Sequence, residues 1–211
     1  KKNLDLFETD EKYIYTSKVS DKYLLKLKDN TEQLGKFCSV IQGIVTGADK
    51  LSPKHISKHS LLYNAGAGIF VLSKNEEIAL NLNGNEQKLL KPWFKNSHIS
   101  KWITNETTCE NVIYYSSKKK YQNISNIKSH FRKYKPILIN RNTRSGTGIL
   151  TEDDYDLFVK GEKFVSYVML ASAFKRGEFQ CISYPRDLHV FEGPKIVAPQ
   201  RSKKNTFGYN E

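Results

Sequence analysis

Three stretches of the chain interleave cations, aromatic rings and amide side chains, and these carry the chemistry the sequence offers. LKPWFKNSHISKW, residues 90–102, places Lys91, Trp93, Phe94, Lys95, Asn96, Lys101 and Trp102 within a few residues of one another. NRNTRSGTG, 140–148, offers Arg141 and Arg144 beside Gly146 and Gly148, and the stretch from 185 to 205 offers Arg186, Lys195, Gln200, Arg201, Lys203 and Lys204. Arg and Lys can bond O6 and N7 of guanine, Asn and Gln can bond N6 and N7 of adenine, and further cations hold phosphates and so fix register. Arg141, Arg144 and Arg186 are therefore expected to read bases or backbone, and Lys203 and Lys204 to hold phosphates. Trp93 and Trp102 also suit a packed core, where large aromatic rings usually lie.

Other chemistries find less support. His55 and His59 have the i, i+4 spacing of a metal pair, but no acidic or Cys partner lies near them in sequence, and Pro53 with neighbouring lysines predicts an exposed basic loop. Glu152, Asp153 and Asp154 form the densest acidic cluster. A metal-dependent nuclease would pair such acids with a Glu-x-Lys element, and Glu162-Lys163 lacks the intervening residue. The cluster reads instead as acidic charge at a helix start. The glycines of NAGAGIF, 64–70, precede a strand-like run rather than opening a helix, so they are expected to form a turn and not a cofactor loop.

The elements that must position these residues are short. DKYLLKLKD, 21–29, suits an amphipathic helix, and FCSVIQGIVTG, 37–47, reads as a strand ending in a tight turn. GIFVLS, 68–73, and NVIYYSS, 111–117, read as strands, and NEQKLLKPWF as one helical turn stopped before Pro92, with the aromatics after it presented from an irregular loop. SNIKSHFRKYKPILIN, 125–140, places Ile127, Phe131, Tyr134 and Leu138 on one helical face, with Ser125 as N-cap and Pro136 predicted to kink or split the helix. TEDDYDLFVK, 151–160, is a second helix starting at Thr151. EFQCISY and KIVAP are strand-like. Residues 1–20 are read as a linker or strap, and strands that outnumber helices without alternating regularly predict an α+β fold.

Composition narrows the class. The chain has 38% hydrophobic residues with 12 Tyr and 11 Phe, which excludes a disordered polyelectrolyte. Against 22 acidic residues stand 34 Lys plus Arg, a formal net charge of +12, an excess that suits a polyanionic partner such as duplex DNA. Cys38, Cys109 and Cys181 form no C-x-x-C pair, which fits a reduced intracellular, cytoplasmic protein. No apolar run approaches the ~18 residues of a membrane span, so no membrane partner is expected. The chain opens on KKNLDLFETDEKYIY and stops at NTFGYNE without a terminating pattern, and it is expected to be a fragment truncated at its C-terminus.

Several segments, in order, resemble the TaqI-like C-terminal specificity domain of adenine-specific DNA methyltransferases and Type IIG restriction-modification enzymes. They are IQGIVTGADKL (41–51), GIFVL (68–72), LKPWFKNSHISKW (90–102), NIKSHFRKYKPILINR (126–141) and YPRDLHVFEGPKIVAPQRSKKNTFGYNE (184–211). The resemblance implies a target recognition domain over residues 21–211, of DNA-methylase specificity-domain type, with a β-rich lobe and a helical part. It adds Gln42 and Thr46 to the DNA-contacting set. It also implies double-stranded DNA and the methyltransferase domain of the same prokaryotic parent chain as partners. Catalysis, S-adenosylmethionine and any Mg²⁺ would belong to other domains of the parent, leaving this chain without catalytic residue, cofactor or metal. The alternatives are a protein-docking module with a basic surface and a self-contained nuclease using Glu152 to Asp154.

Overall fold

The computed structural model describes residues 5–9, 12–16, 26, 31–32, 34–59, 63–99, 101–103, 110–141, 148–165, 171–199 and 206–210. The chain divides into two compact units, Lys1–Gln42 and Gly43–Glu211, so the division falls beyond the boundary expected after residue 20.

In the first unit, β1 (Asp5–Thr9) and β2 (Lys12–Thr16) form an antiparallel hairpin with Asp5 opposite Thr16 and Thr9 opposite Lys12. The stretch read as a linker or strap thus contains a β-hairpin. Its polar composition concealed the β-branched and aromatic residues of DLFET and KYIYT, which favour strand. The helix predicted over 21–29 falls, apart from Lys26, outside the described residues. A single 3-10 turn follows at Leu34–Lys36.

The core of the second unit is built on a three-stranded antiparallel sheet of β3 (Val71–Ser73), β4 (Leu90–Pro92) and β6 (Glu110–Ile113), with β6 in the middle. Val112 faces Val71 on one side and Lys91 on the other. Against it pack α4 (Ser125–Lys133) and α5 (Lys135–Asn140), and the predicted stripe of Ile127, Phe131, Tyr134 and Leu138 is buried throughout. The Phe70 and Phe131 rings lie 4.7 Å apart, centroid to centroid. The helix splits at Tyr134, as Pro136 demands: a proline has no N–H to give to the preceding turn, and it fits the first turn of a new helix.

Three short helices precede this pair: α1 (Pro53–His59), α2 (Lys74–Ala79) and α3 (Gly84–Gln87). Residues 53–59 are helical where a basic loop was expected, because Pro53 suits the first helical position rather than breaking the segment. A second cluster joins Ile139 and Leu150 to Tyr155 and Phe158 of α6 (Glu152–Lys160) and Phe174 of α7 (Ala171–Lys175). Thr151 caps α6 by accepting the Asp154 N–H at 3.1 Å, and Gly161 ends it at φ 84°.

A second small sheet runs β5–β8–β7, with β8 (Gly208–Asn210) between β5 (Trp102–Ile103), parallel to it, and β7 (Lys195–Val197), antiparallel. Neither 37–47 nor 178–184 forms the strand predicted for it. Only Val45 and Tyr184 pair, exchanging N–H···O bonds of 3.2 and 2.9 Å, while residues 178–183 run through turns that bury Cys181 and Ile182. Helices with small sheets make this an α+β chain. Among the described residues no helix is long and apolar enough to cross a membrane.

Candidate nucleic-acid interface

The sequence-predicted contacts separate into groups that face different ways. Arg141 follows α5 directly and turns inward. Its Nη1 donates to the Thr46 carbonyl at 2.7 Å, and its Nη2 to the carbonyls of Phe179, at 3.0 Å, and Cys181. The guanidinium lies 4.9 Å from the Phe70 ring centre. Burial draws its pKa down to about 9, so it remains charged at neutral pH. The expectation that Arg141 reads DNA is corrected on this geometry, because its terminal donors are spent on three backbone carbonyls.

Thr46 belongs to the same clasp. It is 1% exposed, its hydroxyl bonds the Asp49 carboxylate and accepts the Ala48 N–H, and its carbonyl also accepts the Ser183 hydroxyl at 3.2 Å. A side chain that closed cannot reach a groove, so this expectation is corrected as well. Gly47, at φ 83°, permits the approach; a Cβ there would collide with Ser183 Oγ and stand 3.1 Å from Arg141 Cδ.

The 90–102 stretch also divides. Trp93, in the irregular stretch after β4, packs against the core in a half-buried position, while its backbone N–H binds the Glu110 carbonyl. Lys95 pairs with Glu110 at 2.7 Å, and Lys50 pairs with the same carboxylate at 2.6 Å. Burial alone would raise the Glu110 carboxyl, but the two lysines outweigh it and hold the pKa below its usual range. Lys91, on β4, is half-buried without an acidic partner among the described residues. Asn96 opens a 3-10 turn, Asn96–His98. Trp102 is 69% exposed and adopts φ 76°, with the Lys101 ammonium 5.1 Å from its ring centre. This exposed cation–aromatic pair is the part of the stretch that keeps the character expected of a contact surface.

Arg186 is half-buried at φ 54°, its guanidinium 5.5 Å from the Tyr184 ring and its carbonyl bound by the Tyr114 hydroxyl. Gln42 is exposed. Arg144, Gln200, Arg201, Lys203 and Lys204 lie outside the described residues.

Of the acids at 152–154, Glu152 and Asp154 are engaged in the fold and Asp153 is exposed. Glu152 and Asp156 flank Lys135 at 3.2 and 3.3 Å, and Asp154 pairs with Lys163. His55 and His59 sit on α1, where burial first, then Lys54 and Lys58 for His55 and Lys58 and His55 for His59, lower their pKa values. Among the described residues no group of His, Cys, Asp and Glu could hold a metal ion. Gly66, at φ 90°, lies in a turn before β3, a position unlike a phosphate-cradling loop.

Sequence reasoning passed over a second set of cations. On α4, Lys128, Arg132 and Lys133 are exposed, and none has an acidic partner among the described residues. The signal was present in the period itself, since the repeat that turns Ile127 and Phe131 inward turns Lys128 and Arg132 outward. Lys54 and Lys58, four apart on α1, are likewise exposed without an acidic partner among the described residues. No family model matches this chain, and no curated protein matches it.

Proposed function

We infer that this chain recognises double-stranded DNA as the target recognition domain of a restriction-modification enzyme. The observation that carries the reading is the unequal use of charge. Much of the acid pairs within the fold, at Glu110, Glu152, Asp154 and Asp156, whereas Lys54, Lys58, Lys91, Lys128, Arg132 and Lys133 have no acidic partner among the described residues. A chain of net charge +12 that leaves cations such as Lys54, Lys58, Lys128, Arg132 and Lys133 exposed gains affinity for a polyanion through counterion release. The ordered resemblance to TaqI-like specificity domains adds sequence selectivity to that reading, together with the finer α+β architecture of that family. Base readout then falls to exposed loops, with Arg144, Gln200 and Arg201 as readers and Lys203 and Lys204 on phosphates. In this reading S-adenosylmethionine and the chemistry of the parent enzyme belong to a methyltransferase domain, and the chain itself has no catalytic role.

The test is selection of this chain against a pool of random duplexes at two salt concentrations, followed by sequencing of the retained DNA. An enriched motif that persists at the higher salt is expected, because specific contacts resist salt better than nonspecific ones. Failure to retain duplex at either concentration would remove the reading.

A second reading, docking onto another protein domain, is favoured by one feature. Ile196 and Tyr209 face each other across β7 and β8, and both are at least half exposed. If docking is the main role, changing Ile196→Ser should weaken association with the parent methyltransferase domain while leaving duplex binding alone.

A further inference from the structure

Helix α4 is held from within and from its start. Its inner face, Ile127, His130 and Phe131, is buried in the core. At its first turn the carboxylate of Glu86, a residue with 0% exposure, accepts the N–H groups of Asn126 at 2.7 Å and Ile127 at 2.9 Å through Oε1. Through Oε2 the same carboxylate accepts the Asn83 N–H at the start of α3. Asn126 Nδ2 reaches the Asn81 carbonyl, and Asn83 Nδ2 the Asn123 carbonyl, at 2.8 and 2.9 Å. The helix therefore presents its outer face in one fixed orientation.

That face is Ser125, Lys128, Ser129, Arg132 and Lys133, all exposed and none apolar. Lys128 and Arg132 are four apart, as are Ser129 and Lys133, so they lie on one side of the helix with about 6 Å of rise between the members of each pair. Cations in a last helical turn suit the negative end of the helix dipole, which accounts for Arg132 and Lys133 but not for Lys128 at mid-helix. Acid is close at hand yet spent elsewhere: Lys135, two residues past the helix, takes both Glu152 and Asp156. Like charges left together in water, with no acid set among them, call for an anionic partner. A protein partner would want an apolar anchor, and this face has none. An Arg fork, two ammonium groups and a hydroxyl match phosphate oxygens.

We propose that the outer face of α4, through Lys128, Ser129, Arg132 and Lys133, binds the phosphate backbone of duplex DNA and fixes the chain's register on it. This rests on the DNA-recognition reading and names the surface that would hold the backbone.

The experiment compares the full chain with a Lys128→Ala, Arg132→Ala, Lys133→Ala variant, measuring duplex binding by fluorescence anisotropy across a salt series and the selected motif by sequencing. All three side chains are exposed, so the variant is expected to keep its circular dichroism and urea midpoint. A Lys128→Arg, Lys133→Arg variant serves as the charge-conserving control. The triple variant should lose affinity and flatten the slope of log K against log salt by about 2 to 3 units, with no change of motif. The control should keep the parent slope. An unchanged slope in the triple variant, with a motif still enriched, overturns the α4 surface and leaves base reading intact. A flattened slope with no motif in either protein keeps the surface and removes sequence reading. Absence of duplex binding by the parent chain overturns both, and tighter binding to polyglutamate than to duplex of equal charge reassigns the face to an acidic protein.

Discussion

Arg141, half-buried, and His130, buried, are ionisable and set against backbone carbonyls, and each gives a measurable consequence. Replacing Arg141 by Ala strands the carbonyls of Thr46, Phe179 and Cys181 and opens a void beside Phe70. The expected loss is about 3–5 kcal/mol in urea unfolding. Arg141→Lys should recover only part of it, because one ammonium cannot span the donors of a planar fork. A variant of full stability with weakened DNA binding would return Arg141 to the contact set.

His130 donates Nε2–H to the Ile69 carbonyl at 2.9 Å, and burial, more than the nearby Lys133, lowers its pKa from the ordinary 6.5. The unfolded chain therefore takes up a proton near pH 6.5 that the folded chain refuses. Stability is fully present above that pH, is lost progressively as the pH falls from it through the depressed folded-state value, and changes no further from this source below. Urea midpoints for the parent and His130→Gln should converge between pH 7.5 and pH 5. A gap that stays constant with pH would show that His130 does not titrate differently on folding.

At the scale of elements, Glu86 is the clearest case of a part that works at a distance. Changing it to Ala leaves N–H groups at the starts of both α3 and α4 without their acceptor, an expected cost of about 2–4 kcal/mol by urea unfolding. Glu86→Gln, which keeps one amide oxygen, should cost less. Equal midpoints for the parent and the Ala variant would mean that water replaces the carboxylate at no loss. The same helix marks what could be read from sequence. Its buried stripe and its break at Pro136 follow from local period and local sterics, and both were legible. The local sequence offers Ser125 as its cap, whereas the acceptor comes from Glu86, some forty residues earlier. No local rule reaches that far. Strands of two to four residues, such as β4 and β5, carry too few alternations for a period to show, and the segment holding Cys181 and Ile182 is buried without being a strand at all.

Across the whole molecule, charge was the most legible property and its distribution the least. The excess of +12 can be counted from the sequence, but which lysines meet acids depends on tertiary neighbours. Lys95 and Lys50 converge on Glu110 from positions 45 residues apart in the chain, and only folding reveals that Lys95 is spent there while Lys128 is not. The clasp around Arg141 has the same long reach, and its consequence is kinetic. Val45 pairs with Tyr184, and the Thr46 carbonyl accepts from Ser183 across 137 residues of separation. Closing so long a loop is entropically slow and comes late in folding. During synthesis, the early segment at 45–47 must wait for nearly the entire unit to emerge from the ribosome, and until then Arg141 has a charge and no carbonyls to hold it.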